Sequence, residues 1–274
     1  MNEPTLQGTK LVLLARDTDS TWMIYNHIHP QIPIGHIILE KPVSRWLLIR
    51  NRAKRIGWLK ALGQVFFISC ISPLINFLSR EQKRALYQQY RIDTQKPTDR
   101  SIIPISSVNS EECQAILKKI NPDLVLVNGT RIISNQTLQS VEAPFVNIHD
   151  GITPAFRGVH GGYWALASGQ PELFGTTIHF VDKGVDTGGI IEQIFLQPSK
   201  NDNFATYPIL QHAAALPVLR QVLERILRGE TITTREPVCE NSPLHFHPTI
   251  WEWMRNRKRT LSFFFLFQSL AHLS

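Results

Sequence analysis

The sequence is poor in cysteine. Its 274 residues hold three, Cys70, Cys113 and Cys239, with no C-x-x-C pair and no Cys/His spacing that suits zinc, so neither a disulfide framework nor a structural zinc site is expected. A reducing, cytoplasmic setting fits that usage. No secretory leader is expected either, since "MNEPTLQGTK" is polar and carries no apolar run ahead of a small-residue cleavage site. No internal repeat and no low-complexity stretch is visible. Residues 61–79 are apolar, but Gln64, Ser69, Ser72, Pro73 and Asn76 interrupt them and the run barely reaches spanning length.

Hydrophobic residues make up 43% of the chain, enough for a full core, and the formal charge is +7. A moderate basic excess permits attraction to phosphates or anionic lipid without selecting either. The run "RNRKR" at 255–259 is accompanied by no recognition motif, so no specific nucleic acid is expected as a partner.

The order of elements is that of an α/β domain. "KLVLLA" at 10–15 reads as a central strand buried on both faces, and "IGHIILE" at 34–40 as a second. "IIPISSV" at 102–108 is followed by a helix with Glu111 and Glu112 in its first turn. "PDLVLVNG" at 122–129 and "PFVNIH" at 144–149 read as further strands. A helix closed by Gly169 follows, then the strands "GTTIHFVD" and "GIIEQIFL". Residues 206–229 have helical spacing, with Thr206 as cap and Gly229 as stop. The division expected is a catalytic domain over 1–230, interrupted by a basic and apolar helical insertion at 42–90, and an extension over 231–274.

The chemistry gathers in two places. Asn147 and His149 stand two apart on one strand and so project from one face. At the carboxyl end of a parallel strand that face borders the crevice where α/β sheets bind ligands. Either residue alone would be read as bonding a loop; the pair, running into "DGITPAFRG", points to a cleft. The second place is "HFVDKGVDTGG" at 179–189. There Asp182 reads as a turn aspartate bonding its own backbone, Asp186 as the carboxylate that reaches the cleft, and Gly184, Gly188 and Gly189 as sites where backbone approaches a ligand. A metal reading through His149, Asp150, His160, His179 and Asp182 is weaker, because no pair has the helical H-E-x-x-H spacing.

"NIHDGITPAFRG", "GTTIHFVD" and "GVDTGG", in that order and at those spacings, resemble the folate-dependent formyltransferases. The family pattern is Asn-x-His, a loop ending Pro-x-Tyr-Arg-Gly, a helix, then Gly-x-Thr-x-His and Asp-x-Gly. The resemblance extends over roughly 10–229 and is sharp at 122–193. It implies a Rossmann-like fold, an open and mostly parallel sheet with helices on both faces. It implies formyl transfer from 10-formyltetrahydrofolate to a small amine, with Asn147, His149 and Asp186 as the catalytic set. The donor pocket it implies is formed by Val127, Asn128, Gly129, Ile148, Asp150, Gly151, His179, Val181, Asp182 and Val185, while Arg157 and Gly158 shape the loop.

Departures from the pattern narrow the acceptor. The turn "ARDTDSTW" after the first strand has no glycine, against a phosphoribosyl acceptor held there. The residues after Gly229 are too few for a tRNA-binding domain. Gly151 stands where the family usually has Ser, and the insertion is atypical. The acceptor expected is a small amine such as an amino sugar nucleotide. The insertion and the tail are candidate surfaces for peripheral membrane contact or for a homodimer. The other readings are a formyltetrahydrofolate hydrolase and a noncatalytic, membrane-associated module on the same fold.

Overall fold

The apolar run near the N-terminus sets the architecture. The computed structural model describes residues 8–42, 53–54, 57–98, 100–236 and 243–260. In it Leu11–Arg16 forms β1, with Leu11, Leu13 and Ala15 in one apolar layer and Val12 and Leu14 in the other. A strand buried in this way needs helices on both sides. Its parallel neighbours are β2 (Ile34–Glu40) and β4 (Leu124–Asn128). β3 (Ile102–Ile105) extends the sheet beyond β2, and β5 (Phe145–His149) extends it beyond β4, both in parallel.

A two-residue strand β6 (Arg157–Gly158) lies outside this sheet. β7 (Gly175–Phe180) and β8 (Ile190–Phe195) complete it as an antiparallel edge, giving the order β3-β2-β1-β4-β5-β7-β8. The strand order reverses between β1 and β4, which makes their carboxyl ends the crevice of the sheet. β9 (Leu244–His245) pairs in parallel with β6 as a separate ribbon.

The helices, in chain order, are α1 (Asp19–Ile28), α2 (Trp58–Phe66), α3 (Ser72–Leu78), α4 (Arg80–Gln89), α5 (Glu111–Ile120), α6 (Asn135–Leu138), α7 (Gly161–Ala167), α8 (Tyr207–Leu227) and α9 (Ile250–Asn256). α1 and α8 cover one face of the sheet through Trp22, Ile24, Ile28, Leu216, Leu219 and Leu223. α5 covers the other through Cys113 and Leu117. Its start follows the sequence: Ser110 Oγ accepts the Cys113 N–H at 3.2 Å, and Glu111 and Glu112 meet the positive end of the helix dipole.

The insertion is helical. α2 and α3 are joined by a wide, π-helical turn at Phe67–Ile71, and Trp58–Leu78 is long and apolar enough, by length and composition, to cross a membrane. Phe67 and Ile75 nevertheless pack into a third core with Tyr163, Phe174, Phe204 and Trp253, so α7 and α9 share it with the insertion. The remainder of the insertion, at 43–52 and 55–56, and the aromatic tail at 261–274 lie outside the described residues.

Two details differ from the sequence reading. β3 stops at Ile105 rather than 108, as the chain leaves this edge at Ser106. Thr206 does not cap α8 with its side chain; its carbonyl accepts from Ile209 and Leu210, while Oγ1 accepts the Asn203 N–H at 2.8 Å. Pro208 removes one orphan donor at that end, so less capping is needed. α8 continues through Pro217 as a single helix.

Candidate active site

The crevice at the switch point is a cavity of about 740 Å³. Arg16 enters it from the end of β1, Asn128 from β4, Asn147 and His149 from β5, and Asp186 from the loop between β7 and β8. Sequence alternation therefore does what it promised: the polar side chains of β5 at i and i+2 face the cavity, while Val146 and Ile148 enter the core.

Two carbonyl groups fix the histidine protons. His149 Nε2 lies 2.7 Å from the carbonyl oxygen of Phe156, which can only accept, so Nε2 carries hydrogen. His179 Nδ1 donates likewise to its neighbour's carbonyl, Phe180 O, at 2.7 Å. In neutral His179 this leaves Nε2 as an acceptor, and Asn147 Nδ2 donates to it at 3.1 Å. One amide hydrogen of Asn147 is thus engaged and the second remains. Nδ1 of His149 stands 3.5 Å from Asp186 Oδ2, beyond a good hydrogen bond, and is the ring nitrogen left for a ligand or a water.

Asp186 is held from three sides. Oδ2 accepts the Gly158 N–H at 2.8 Å, and Oδ1 lies 3.6 Å from His179 Nε2. Burial by itself would raise its pKa, but the His149 charge, the His179 contact and the Gly158 amide together outweigh that and hold the carboxyl well below the usual carboxylate range. Asp186 has φ +51°, a left-handed conformation uncommon outside glycine and kept here by its surroundings.

The backbone amide of Gly158 is thus part of the site, where the sequence showed only a loop-shaping glycine. Gly158 itself has φ +96°, and a Cβ there would collide with the His245 carbonyl. Of the ten residues expected around the donor, Val127, Asn128, Gly129, Ile148, Asp150, His179, Val181, Asp182 and Val185 line the cavity. Gly151 does not: it packs beneath His149, where a Cβ would fall 2.6 Å from Nε2. Gly184 lines the cavity, and a Cβ at Gly184, Gly188 or Gly189 would meet Thr187, Phe180 or Thr234 in turn, so close packing within the protein also requires glycine at all three. Asp182 forms the turn expected of it, accepting from Gly184 N at 2.9 Å and Thr187 Oγ1 at 2.7 Å.

Sequence reasoning missed His212. It projects from α8 into the cavity wall and is 3% exposed. The available signal was a histidine among alanines and leucines on a buried helix face. Arg16, Ser20 and Arg131 also line the cavity without having been anticipated. Of the cysteines, Cys113 is buried, which pushes its thiol up to about 12 and leaves it inert as a nucleophile.

Comparison with known proteins gives this geometry relatives. Residues 79–207 match the sequence model of a family described as formyl transferase. A phosphoribosylglycinamide formyltransferase of Bacillus subtilis is 32% identical over 125 residues, 43% of this chain and 64% of the relative. A methionyl-tRNA formyltransferase of Caldanaerobacter subterraneus is 27% identical over 134 residues, 48% of this chain and 43% of the relative. A GDP-perosamine N-formyltransferase of Brucella melitensis is 27% identical over 126 residues, 46% of this chain and 48% of the relative. The chain therefore spans 64% of the first of these and less than half of the other two. Among solved structures, a sugar N-formyltransferase from Shewanella superposes with a TM-score of 0.53 at 15% identity, over 86% of this chain and 76% of that one, a likeness of fold.

Proposed function

We propose that the chain moves a formyl group from 10-formyltetrahydrofolate to a small amine, with Asn147, His149 and Asp186 as its catalytic set, a reading supported by the match of residues 79–207 to the formyl transferase family. The observation that carries this reading is the clamp on Asp186: one ionised carboxylate, fixed by Gly158 N–H, facing both His149 and His179 on the floor of the crevice.

In the reaction the amine attacks the formyl carbon, the C–O double bond opens to an oxyanion, and the bond from carbon to N10 of the folate then breaks. The second amide hydrogen of Asn147 supplies a fixed donor for the oxyanion. A protonated His149 adds positive charge through Nδ1, and Asp186 supports that charge. The folate ring fits between the apolar side chains Val127, Val181 and Val185 and the backbone of the 182–186 loop, which line the same cavity.

An amino sugar nucleotide is the acceptor class this reading favours, in a reducing cytoplasm. The relative from Brucella is named for an amino sugar nucleotide, and the turn 16–20 after β1 has no glycine with which to hold a phosphoribosyl group. Calorimetric titration with a nonhydrolysable 10-formyltetrahydrofolate analogue tests the donor without needing the acceptor. Micromolar binding, weakened in Asp186→Ala, is expected; no binding by a folded sample would reject the reading. Tetrahydrofolate released from the true donor with no amine present would instead identify a hydrolase.

Peripheral membrane contact belongs to the same reading. Trp58, Leu59, Leu62 and Phe66 on α2 are exposed, Trp251 and Met254 on α9 are exposed as well, and Trp251 lies against Gly63. Lys60, Arg255, Lys258 and Arg259 add exposed positive charge on the same elements or beside them. An apolar row with basic neighbours suits an anionic lipid surface.

A further inference from the structure

One group in the crevice has no part in the chemistry above. Asp150 follows His149 directly and faces the same cavity, where His212 and Pro208 form the adjoining wall. Its main chain is fixed, since the Asp150 carbonyl accepts the Gly162 N–H at 3.2 Å and Gly161 leaves no room for a Cβ beside it. Asp150 Oδ1 lies 3.2 Å from His212 Nδ1, but that nitrogen already donates to the Pro208 carbonyl at 2.9 Å. Oδ1 is left buried with no hydrogen bond among the described residues, and so is Nε2 of His212.

A buried carboxylate oxygen without a donor is costly and stays only where something supplies one. Near neutral pH an unreacted aliphatic amine is mostly an ammonium, which carries three donors and a positive charge. It must lose one proton before it can attack. We propose that Asp150 is the subsite for the acceptor's ammonium group, with His212 as the positioning residue packed against the carboxylate, rather than part of the donor pocket. This inference rests on the formyl-transfer reading and assigns its second substrate.

The protons balance. The ammonium gives one to the Asp150 carboxylate, the neutral amine forms the new C–N bond, and a second proton leaves that nitrogen for N10 as the old C–N bond breaks. Asp150 then returns its proton to water, so one proton is released per formyl group transferred. Desolvation raises the Asp150 pKa, against the opposing charges of His212 and His149, which makes the carboxylate a stronger base than a solvated one.

Methylammonium chloride is the probe, with methanol as its neutral counterpart. Each is titrated into 13C,15N-labelled protein, with and without the folate analogue, while the Asp150 carboxyl carbon and the His212 ring nitrogens are followed by NMR. The expected result is a saturable shift with methylammonium alone, abolished in Asp150→Asn and weakened about tenfold in His212→Gln. Equal shifts with methanol, or a methylammonium shift that survives Asp150→Asn, would overturn the proposal. Calorimetry of the analogue on the same samples separates the two readings. If the analogue binds wild type and Asp150→Asn alike while methylammonium gives no shift, the ammonium subsite alone fails. If the analogue binds neither, the donor reading fails with it.

Discussion

The state of Asp186 can be tested through stability as well as rate. A carboxyl whose pKa is lowered on folding contributes stability that is fully present above its ordinary value, near 3.8, and is lost as pH falls through the lower folded value. The stability difference between wild type and Asp186→Asn should therefore be flat from pH 5 to 8 and shrink below about pH 4, as chemical denaturation at each pH would show. Turnover of the same variant should fall at least about a hundredfold. Gly158→Ala should destabilise the fold by about 1–3 kcal/mol and weaken the analogue, because it strains a left-handed residue and displaces the amide that holds Asp186; unchanged affinity would show that the amide is dispensable. At this scale the meeting of Asn147, His149 and Asp186 in one cavity was legible because ordered motifs mark them. The Asp150–His212 contact was not, since residues far apart in sequence meet only once α8 has packed on the sheet.

The insertion shows how far periodicity carries an element. Its helices were anticipated, but the pattern of apolar and polar residues does not reveal which apolar side chains pack inward. Phe67 and Ile75 do, while Trp58, Leu59, Leu62 and Phe66 remain exposed. The double change Leu62→Glu, Phe66→Glu should abolish co-sedimentation with phosphatidylserine vesicles and leave analogue binding intact. Failure of the wild type to sediment, with a dimer mass in light scattering that the double change removes, would assign this face to a second copy. Thr206 illustrates a different limit: a capping residue type in the right place need not cap when proline follows and a loop takes its hydroxyl.

Across the whole molecule the sheet was the most legible feature, because buried parallel strands appear as apolar runs and their carboxyl ends collect the polar exceptions. The small ribbon β6–β9 was not legible, as two-residue strands have no period. It ties residues 243–260 to the segment 157–164 beside the cavity: Val159 N–H donates to the His245 carbonyl at 3.1 Å, and Trp164 Nε1 to the Phe246 carbonyl at 2.9 Å. A chain ending at 236 should melt several degrees lower and bind the analogue about tenfold more weakly; wild-type values for both would show that the ribbon is decorative.

The same ribbon orders events during synthesis. A growing chain releases β1 to β5 and then the Asp186 loop from the ribosome long before Leu244 and His245 emerge, so Gly158 waits without the strand that seats it. A ribosome-bound chain arrested while residue 236 is the last outside the exit tunnel would have its sheet assembled and its carboxylate clamp unsupported.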